Sequence, residues 1–473
     1  MKRPHVVVLG AGPAGLGAAF HLVRRGVADV TVLEQNPHAG GNAGSFEIEG
    51  IRVDFGSHRL HPACDPEVLK DIRNLLGNDL LERPRHGRIR MQGRWIHFPL
   101  RLMDLALRLP PNFVVGVVSD RIRNFFRNRT KKQESFASVL ESGLGSTICR
   151  DFYFPYARKL WGVSPEELAA VQAHRRISAS SLTKILWKVL STMPGLRSPG
   201  DGYFFYPRLG YGQISDAFKE AAQKEGAKIH FQARVEQVEL SDNKVTAVRY
   251  QKDGTSHELE AGNVFSTIPV NVLARSASPG PPQEVLDAAA KIRFRGMILV
   301  YLVLEEDRFT EYDAHYFPEP EIIISRLSEP KIFSNGTGTA GITVLCGEIP
   351  CDVNGPVWKQ TDEELGQVAL ESLRRAEIPV TANVRKILVR RLPNAYPVYY
   401  QGYEKYFEGL DRWCNQVEGL VSFGRQGLFV HDNTHHALFM GYAASKCLAE
   451  DGTFDRKRWE QYRKMFETHV VED

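Results

Sequence analysis

The sequence is poor in cysteine and lacks the spacings at which cysteines bind metals or form bridges. Its 473 residues include six cysteines, with no CxxC pair and no histidine–cysteine cluster at zinc spacing. Scattered thiols of this kind are typical of a reducing compartment. We therefore expect reduced cysteines and a cytoplasmic location.

Long apolar runs and a strong charge bias are also missing. No stretch approaches the roughly 18–20 apolar residues of a membrane-spanning helix, and the apolar run Val6–Leu9 leads into a glycine turn rather than a signal-peptide cleavage site. The formal net charge of +4 gives no support for nucleic-acid binding. The length and a composition of 43% hydrophobic and 25% charged residues indicate a soluble protein of two or three lobes.

One segment departs from this even balance of charge. Residues Arg121–Lys132 hold six positive charges and no negative one, with Phe125 and Phe126 among them. A solvated helix face is the ordinary interpretation of such a segment. Peripheral contact with a membrane surface, or with an anionic substrate, is the alternative.

The chain opens with a βαβ unit. Val6–Leu9 and Val30–Leu33 are typical of short buried strands, and Ala14–Arg25 between them is typical of a helix. A GxGxxG motif joins the first strand to the helix, where its glycines permit a tight turn, close approach of a pyrophosphate and close helix–strand packing. The pyrophosphate would lie at the positive end of the helix dipole. The residues predicted to contact it are Gly10, Gly12, Pro13, Ala14 and Gly15.

The next segment favours FAD over NAD. Glu34 ends the second strand, where its carboxylate is placed to accept hydrogen bonds from the adenosine ribose, and Gln35 follows it. A glycine pair, Gly40 and Gly41, comes directly afterwards and precedes Asn42. Large flavoproteins of the amine-oxidase type place such an extra turn against the diphosphate, although a plain glycine loop is the alternative interpretation.

Motifs along nearly the whole chain resemble those of the UDP-galactopyranose mutases. The resemblance begins at Gly40-Gly41-Asn42 and continues through Phe55-Gly56-Ser57-His58-Arg59-Leu60-His61, which is similar to the segment that lines the flavin in that family. Amine oxidases and protoporphyrinogen oxidases more often carry Arg after the glycine pair. The further matching segments are Arg94–Leu100, Tyr156–Gly162, Tyr206–Gly212, Tyr396-Pro397 and the second flavin motif Gly424–Gly427.

The resemblance implies FAD as the cofactor and assigns further residues to its site. At the second flavin motif, backbone N–H groups and an arginine would meet the isoalloxazine and the diphosphate at a helix start. The cofactor residues implied in addition to those above are Gly56, Ser57, His58, Val235, Gly424 and Arg425. The catalytic candidates are His58, Arg59, Arg176, Arg295 and Tyr396.

Two departures from the mutase pattern leave the reaction open. The mutases carry a run like R-I-P-V-R whose last arginine grips the substrate diphosphate, whereas here the run is Arg176–Ser180 and ends in serine. Past the second flavin motif His431 and the pair His435-His436 replace the tyrosine and Asp-His of the family.

Three functions are therefore considered. The first is a mutase-like enzyme acting on an activated sugar or glycolipid precursor, in which N5 of reduced FAD attacks the anomeric carbon without net redox change. The second is an oxidoreductase that removes hydride from a C–N, C–O or C–C bond, as amine and protoporphyrinogen oxidases do. The third is a flavin-bearing protein kept for assembly of a complex.

Two histidine pairs and one tyrosine-rich segment could also form binding sites. His58 with His61, and His435 with His436 near Asp432, could suggest a metal site, but no full ligand set stands at a recognised spacing, and we expect no metal. The tyrosines of segment 396–406 fit a sugar-binding cleft and an aromatic packing patch equally well.

These features predict an α/β fold. A GR2-type Rossmann FAD-binding domain would be assembled from discontinuous segments at 1–90, 205–268 and 415–450. A helical lobe at 91–204, a mixed α+β substrate domain whose sheet spans 269–414 and a C-terminal surface helix within 451–473 would complete the molecule. The expected partner is a small-molecule substrate, with a nucleotide- or lipid-linked sugar as one form of it; no nucleic acid is expected, and the oligomeric state is left open.

Overall fold

A computed structural model describes residues 3–99, 104, 107–126, 134–176 and 202–469. Its strands are β1 (His5–Leu9), β2 (Asp29–Leu33), β3 (Ser45–Ile48), β4 (Ile51–Asp54), β5 (Leu80–Pro84), β6 (Gly87–Met91), β7 (Arg94–Phe98), β8 (Tyr203–Pro207), β9 (Lys228–His230), β10 (Arg234–Ser241), β11 (Lys244–Lys252), β12 (Thr255–Glu260), β13 (Asn263–Ser266), β14 (Ala277–Ser278), β15 (Phe294–Leu304), β16 (Ala314–Tyr316), β17 (Arg326–Ser328), β18 (Thr343–Cys351), β19 (Val384–Pro397) and β20 (Leu420–Ser422).

The helices connect these strands and cover the sheets. They are α1 (Pro13–Arg25), α2 (Pro66–Leu76), α3 (Pro111–Phe126), α4 (Phe136–Leu144), α5 (Ser146–Ile148), α6 (Phe154–Trp161), α7 (Ala170–Arg176), α8 (Gln213–Lys224), α9 (Val270–Ser276), α10 (Gln283–Lys291), α11 (Pro330–Phe333), α12 (Asp362–Arg375), α13 (Glu404–Gln416), α14 (Gly424–Gly427), α15 (Thr434–Lys446) and α16 (Arg456–Phe466). Single helical turns of other pitch lie at Gly41–Ala43, Gly77–Asp79, Cys149–Tyr153 and Val357–Lys359.

The dinucleotide half is a five-stranded parallel sheet in the order β20-β13-β1-β2-β9. Its strands come from positions near residues 5, 30, 230, 265 and 420, so the sheet is assembled from distant segments. Helices α1 and α15 pack against each other with their backbones nearly in contact. A Cβ at Gly441 would lie 2.4 Å from the carbonyl oxygen of Ala14, which only glycine avoids. The predicted α/β fold with a parallel Rossmann-like core is confirmed.

A second, seven-stranded sheet has the order β19-β15-β18-β17-β16-β6-β7. Strand β15 is buried along almost its whole length because both of its faces are covered. Helix α12 packs on one face, where Leu365, Ala369 and Leu373 join the core. On the other face the β3–β4 hairpin contributes Ile48, Ile51 and Val53 to a second core.

The predicted border between the FAD domain and the helical lobe, at residues 90 and 91, falls inside strand β6. Strands β6 and β7 form a hairpin that extends the seven-stranded sheet through β16. Residues 87–98 therefore belong to the same sheet as part of 269–414, because the buried side chains of Ile89, Met91 and Ile96 pack with Ala314 and Tyr316. The rest of the proposed division into domains stays a prediction.

One lysine ties the helical part of the chain to this sheet. The Lys159 ammonium, on α6, donates hydrogen bonds to the backbone carbonyls of Phe317, Glu319 and Ile322. Burial lowers the pKa of Lys159 to about 7. The lysine of the Tyr156–Gly162 motif thus has a structural partner in the loop between β16 and β17.

The C-terminal helix α16 lies at the surface and packs through one face. Trp459 and Phe466 are 1% and 3% exposed and join the hydrophobic core around α1, α8 and α15. The other residues of α16 are exposed or half-buried. Within the part of the chain that the structure describes, no helix combines the length and the hydropathy that a membrane span requires.

Candidate functional site

The first glycine turn leaves room where the pyrophosphate is expected. Gly10 has φ +100°, and a Cβ at Gly15 would lie 2.0 Å from the carbonyl oxygen of Gly10. A Cβ at Gly12, in contrast, would have no atom within 4 Å. Gly15 therefore serves the contact between helix and strand, while Gly12 keeps the space in front of the α1 N-terminus clear.

Glu34 holds this turn in place. Its carboxylate is 5% exposed and accepts hydrogen bonds from the backbone N–H groups of Ala11 and Asn36, both at 2.8 Å. Its Oε1 accepts a further hydrogen bond from Asn36 Nδ2 at 2.7 Å, so Oε2 is the oxygen with a second acceptor position for the expected ribose. Gln35 beside it also lines the cavity.

The second glycine turn lies directly against the first. Gly40 and Gly41 have φ +103° and +52°, and the Gly40 N–H donates to the Ala11 carbonyl at 2.8 Å. A Cβ at Gly41 would stand 3.5 Å from the Cα of Gly12. The two turns that the sequence marked as diphosphate-binding therefore form one wall.

His58 fixes the loop that follows. Its Nε2 lies 2.9 Å from the Asn42 carbonyl oxygen and 3.0 Å from that of Phe55, so it donates a shared hydrogen bond to both. The ring stacks on Tyr211 with 5.2 Å between the ring centroids. Burial lowers the pKa of His58, an effect that nearby Asp54 opposes, so the imidazole is neutral at pH 7.

A buried ion pair supports the same loop from the seven-stranded sheet. Glu348 accepts the Ser57 N–H at 2.8 Å and two hydrogen bonds from Arg326, at 2.9 and 3.0 Å. The pKa of Arg326 is raised well above its usual value: burial opposes the charge, but Glu348 and neighbouring tyrosines outweigh it. Gly56, with φ +95°, lets Glu348 approach, since a Cβ there would lie 3.3 Å from the carboxylate.

The second flavin motif meets the first at a short helix. Gly424 has φ +80°, and a Cβ on it would lie 2.8 Å from that of Ala14. Arg425 donates to the Ala395 carbonyl at 2.9 Å and stands over the Tyr396 ring, 5.2 Å from its centroid. The motif thus joins the Rossmann sheet to the end of β19.

One cavity brings most of the predicted residues together. Those that line it are Gly10, Gly12, Pro13, Ala14, Glu34, Gln35, Gly41, Asn42, Ser57, His58, Arg59, Tyr396 and Arg425. Gly15, Gly56 and Gly424 lie behind this wall and shape it, as described above. The cavity extends from the α1 N-terminus to Tyr156, Tyr396 and His431. A dinucleotide site with an adjoining substrate space requires such an extent.

Two predicted residues are not brought to the cavity, and the side chain of a third is not described. Arg295 is 8% exposed and pairs with Asp352 while its guanidinium packs against Gly162, so its charge is used inside the fold. Val235 pairs with Tyr250 between β10 and β11 and packs, partly buried, in a neighbouring core. Arg176 ends α7, and its side chain, like residues 177–201, lies outside the described part.

Arg59 reaches the cavity but is already engaged. Its guanidinium donates to the Tyr316 hydroxyl at 2.9 Å and to Asp313 at 3.2 Å, and it lies over the rings of Phe204 and Phe333. These contacts fix its position at the wall. The Arg59 guanidinium is therefore held in one position at the cavity wall.

The tyrosine-rich segment divides between packing and lining. Tyr399 and Tyr403 stack at 4.6 Å in a core, and the Tyr399 hydroxyl donates to the Phe429 carbonyl at 2.8 Å. Tyr396 faces the cavity, 5.9 Å from the His431 ring. Packing thus accounts for Tyr399 and Tyr403, while Tyr396 lines the cavity and its role toward a sugar stays a prediction.

The cavity fits a dinucleotide by its unused polar atoms. Within the described residues, four buried atoms of its lining lack a hydrogen-bond partner: Ser57 Oγ, Arg59 Nε, Gln426 Oε1 and Asp432 Oδ1. Buried polar groups are otherwise almost always paired. A bound ligand rich in hydroxyl and amide groups would satisfy them, and with the open space at Gly12 this supports FAD.

Asp432 also belongs to a group with metal-ligand chemistry. Ligand atoms of Asp432, His436 and His469 lie within 4.8 Å of one another. The imidazole rings of His436 and His469 are stacked at 4.1 Å with planes 13° apart, so one ion could not lie in the plane of both. His469 instead approaches Asp432 at 2.8 Å. The expectation that no metal is bound stays a prediction.

Several cavity residues were missed by the sequence analysis. They include Arg85, Arg326, Glu348, Arg391 and Asn394. A usable signal existed for Glu348, because it is a lone carboxylate within the otherwise apolar run Thr343–Cys351. Charged residues inside buried strands need a partner, and that need points to a structured site.

Comparisons with known proteins agree with this geometry. Residues 13–444 match the family model described as flavin containing amine oxidoreductase. Coproporphyrinogen III oxidase of Propionibacterium freudenreichii subsp. freudenreichii is 25% identical over 421 residues, which are 78% of this chain and 77% of that protein. 1-Hydroxycarotenoid 3,4-desaturase of Flavobacterium sp. (strain P99-3) is 25% identical over 286 residues, which are 53% of this chain and 54% of that protein. The chain spans about half the length of the first curated relatives that it matches.

A solved structure shows the same fold over almost the full length. The crystal structure of a reduced UDP-galactopyranose mutase superposes with a TM-score of 0.79 at 20% identity and covers 94% of both chains. This likeness confirms the fold that the motifs implied.

Proposed function

Because the chain belongs to the flavin-containing amine oxidoreductase family and its cofactor is FAD, we propose that it acts on an activated sugar or glycolipid precursor in the manner of a mutase. The observation that carries the proposal is the set of arginines in the cavity wall. Five arginines line the cavity with three carboxylates, those of Glu34, Glu348 and Asp432, and Asp313 and Asp362 outside the lining pair with Arg59 and Arg391. Guanidinium groups are suited to bind the phosphates of an anionic cofactor and of an anionic substrate.

The polar end of the cavity favours this substrate class over two others. Arg326, Tyr156 and Tyr396 lie there with His431, so the wall offers hydroxyl and guanidinium donors. A cationic amine would be opposed by the arginines, and a long apolar substrate would leave the polar groups without partners. Sugar hydroxyls with a phosphate leaving group match both features.

The proposed roles of the chain's residues follow from their contacts. Bound FAD supplies an electron-rich ring when reduced and a hydride acceptor when oxidised. Tyr156 and Tyr396 orient the sugar through its hydroxyls, while Arg326, kept charged by Glu348, favours negative charge building up on the leaving group. His58 and Ser57 keep the intervening loop in position through their hydrogen bonds.

Flavin redox state provides the test. Enzyme reduced under anaerobic conditions is incubated with UDP-galactopyranose and other nucleoside-diphosphate hexoses, and ring isomers are separated by chromatography. We expect interconversion without consumption of an electron acceptor. Tyr396→Phe should lower turnover about tenfold, whereas Tyr400→Phe is a matched control because its hydroxyl donates to the Lys291 carbonyl away from the cavity.

A net redox reaction is the second candidate. It is supported by the sequence relatives, which are named as oxidases and desaturases. In that case substrate would reduce the oxidised flavin, and turnover would require stoichiometric oxygen or dye. That result, with no isomerisation by the reduced enzyme, would reject the mutase proposal and leave the family assignment intact.

A cytoplasmic location is part of the proposal. It is supported by the six cysteines, all of which are free and buried.

A further inference from the structure

Helix α3 exposes an apolar face to solvent. The described residues include eight large hydrophobic side chains that are exposed, and five of them fall between positions 107 and 122. Four of the five lie on α3 at helical spacing, with exposed fractions of 67% for Val115, 55% for Val118 and 57% for Ile122. The exposed apolar face consists of Leu107, Val114, Val115, Val118 and Ile122.

The opposite face of α3 fixes this orientation. Phe113 is buried and Val117 partly buried in a core with Ile89 and Met91. Asp120 accepts hydrogen bonds from the Ser146 hydroxyl and the Thr147 N–H, at 2.9 and 2.6 Å. The helix cannot turn its apolar face inward without giving up these contacts, so the face points outward and no described residue covers it.

The sequence that contains this face is basic. Residues 100–133 contain eight cationic and two acidic side chains, a net charge of +6, whereas the whole chain carries +4. Both acids are buried and pair with exposed arginines: Asp104 lies 3.1 Å from Arg108, which is 48% exposed, and Asp120 lies 3.9 Å from Arg123, which is 66% exposed. The rest of the chain therefore has a net charge of −2.

We propose that this face docks on an anionic lipid bilayer, with α3 lying in the plane of the interface. Exposed valine and isoleucine side chains enter the headgroup boundary while neighbouring arginines meet lipid phosphates, as in interfacial amphipathic helices. A second copy of the chain fits less well, because a two-fold contact through this face would bring like charges together. The Arg121–Lys132 segment follows in sequence, although residues 127–132 lie outside the described part.

Docking here would bring the bilayer close to the cavity. The core beneath α3 includes Tyr316, which binds Arg59, and Tyr156, which lines the cavity. The proposal is independent of the reaction that the cavity performs, since it depends only on the outer face of α3.

Vesicle binding tests the proposal on the full chain loaded with FAD. Co-sedimentation is measured with vesicles of phosphatidylcholine alone and of phosphatidylcholine with phosphatidylglycerol in equal parts. We expect binding to the anionic vesicles only, weakened by high salt. The variant Val115→Ser/Val118→Ser/Ile122→Ser should bind about tenfold less. The control Leu209→Ser/Val272→Ser/Met465→Ser removes three exposed apolar side chains elsewhere and should bind like the wild type.

Flavin content and circular dichroism of both variants verify that they are folded. Absence of wild-type binding to anionic vesicles, or an equal loss in the two triple variants, would overturn the proposal. A dimer seen by light scattering that the α3 variant alone abolishes, without vesicle binding, would also overturn it and would assign the face to a second copy. Reduced binding by Arg123→Gln at low salt would support the electrostatic part.

Discussion

Gly12 and Gly15 lack side chains for opposite reasons, although they belong to the same turn. Gly15 faces the backbone of Gly10 at a distance that excludes any Cβ, while Gly12 faces open space. The same motif thus contains one glycine that permits close packing and one that leaves the cavity open. Sequence analysis assigned these roles from the motif, and the geometry separates them.

We predict that Gly12→Val folds but does not retain FAD. Gly12 has an extended backbone, at φ −77° and ψ 176°, that valine adopts without strain, and the new side chain would occupy the diphosphate space. Visible flavin absorbance should be lost while circular dichroism stays unchanged. Gly15→Val, the matched control, should instead give little folded protein. Normal flavin content in Gly12→Val would contradict the assignment.

The hydrogen bonds of His58 indicate that it positions the loop at the cavity wall. Its Nε2–H is committed to the carbonyls of Asn42 and Phe55, so His58→Ala leaves two carbonyls without a donor. We expect His58→Ala to weaken FAD binding by about 1–3 kcal/mol, and His58→Gln, which replaces the donor, to recover most of it. Titration of apo-protein with FAD measures both. Normal FAD affinity in both variants with turnover reduced about 10²-fold would instead make His58 catalytic.

At the scale of elements, local sequence signals predicted individual helices and strands. They did not predict which distant strands pair with each other. The β1–α1–β2 unit was predicted because it is encoded within a short segment. The β3–β4 hairpin is equally local, since its turn is Glu49-Gly50, at φ 52° and 78°. The pairing of Val6 with Asn263 and of Val264 with Leu420 has no local signature. Parallel pairing over such separations depends on tertiary packing alone.

The same limit explains the missed half of the site. Arg326 and Glu348 lie on adjacent strands β17 and β18, yet Glu348 accepts the backbone N–H of Ser57, 291 residues earlier in the chain. A motif reports residues that are close in sequence. It does not identify the Glu348 carboxylate as the partner of Ser57, because the two residues are far apart in sequence.

The Arg326–Glu348 pair should behave as a unit. Glu348→Ala leaves a buried guanidinium uncompensated and removes the acceptor of the Ser57 N–H, so we expect a loss of about 3–5 kcal/mol in the free energy of unfolding. The double variant Arg326→Met/Glu348→Ala should recover part of this loss. Urea denaturation of the FAD-loaded proteins measures both. Additive losses in the double variant would show that the pair is not coupled.

At the scale of the whole molecule, the two sheets hold one cavity between them because the chain crosses repeatedly. The Rossmann sheet supplies the glycine turns, and the seven-stranded sheet supplies Glu348 and Tyr396. The C-terminal segment closes the far side, where His469 contacts Asp432. Composition and motifs predicted the class of fold. The position of the cavity depends on how the segments of the two sheets alternate along the chain.

Acid stability is a property of the assembled molecule, and His21 provides a way to test it. His21 is 4% exposed at the junction of α1, α2 and α15, with Nδ1 2.9 Å from the Ser445 hydroxyl and Nε2 3.4 Å from Glu67. Burial and the nearby Arg24 lower its pKa to about 4, although Glu67 opposes the shift. The unfolded chain binds a proton at this residue near pH 6.5, whereas the folded protein does not until about pH 4.

The sign of the effect follows from these proton affinities. Between about pH 6.5 and 4 the unfolded state binds more protons, so stability must fall as the pH falls. From pH 7 to pH 5 one such histidine contributes a loss of about 2 kcal/mol. In His21→Asn this contribution is absent. We therefore expect the unfolding free energy of the wild type, minus that of the variant, to be about 2 kcal/mol larger at pH 7 than at pH 5. Urea denaturation with saturating FAD gives the four values, and exposed His257→Asn serves as the control. An equal difference at both pH values would mean that folded His21 takes up its proton as readily as the unfolded chain.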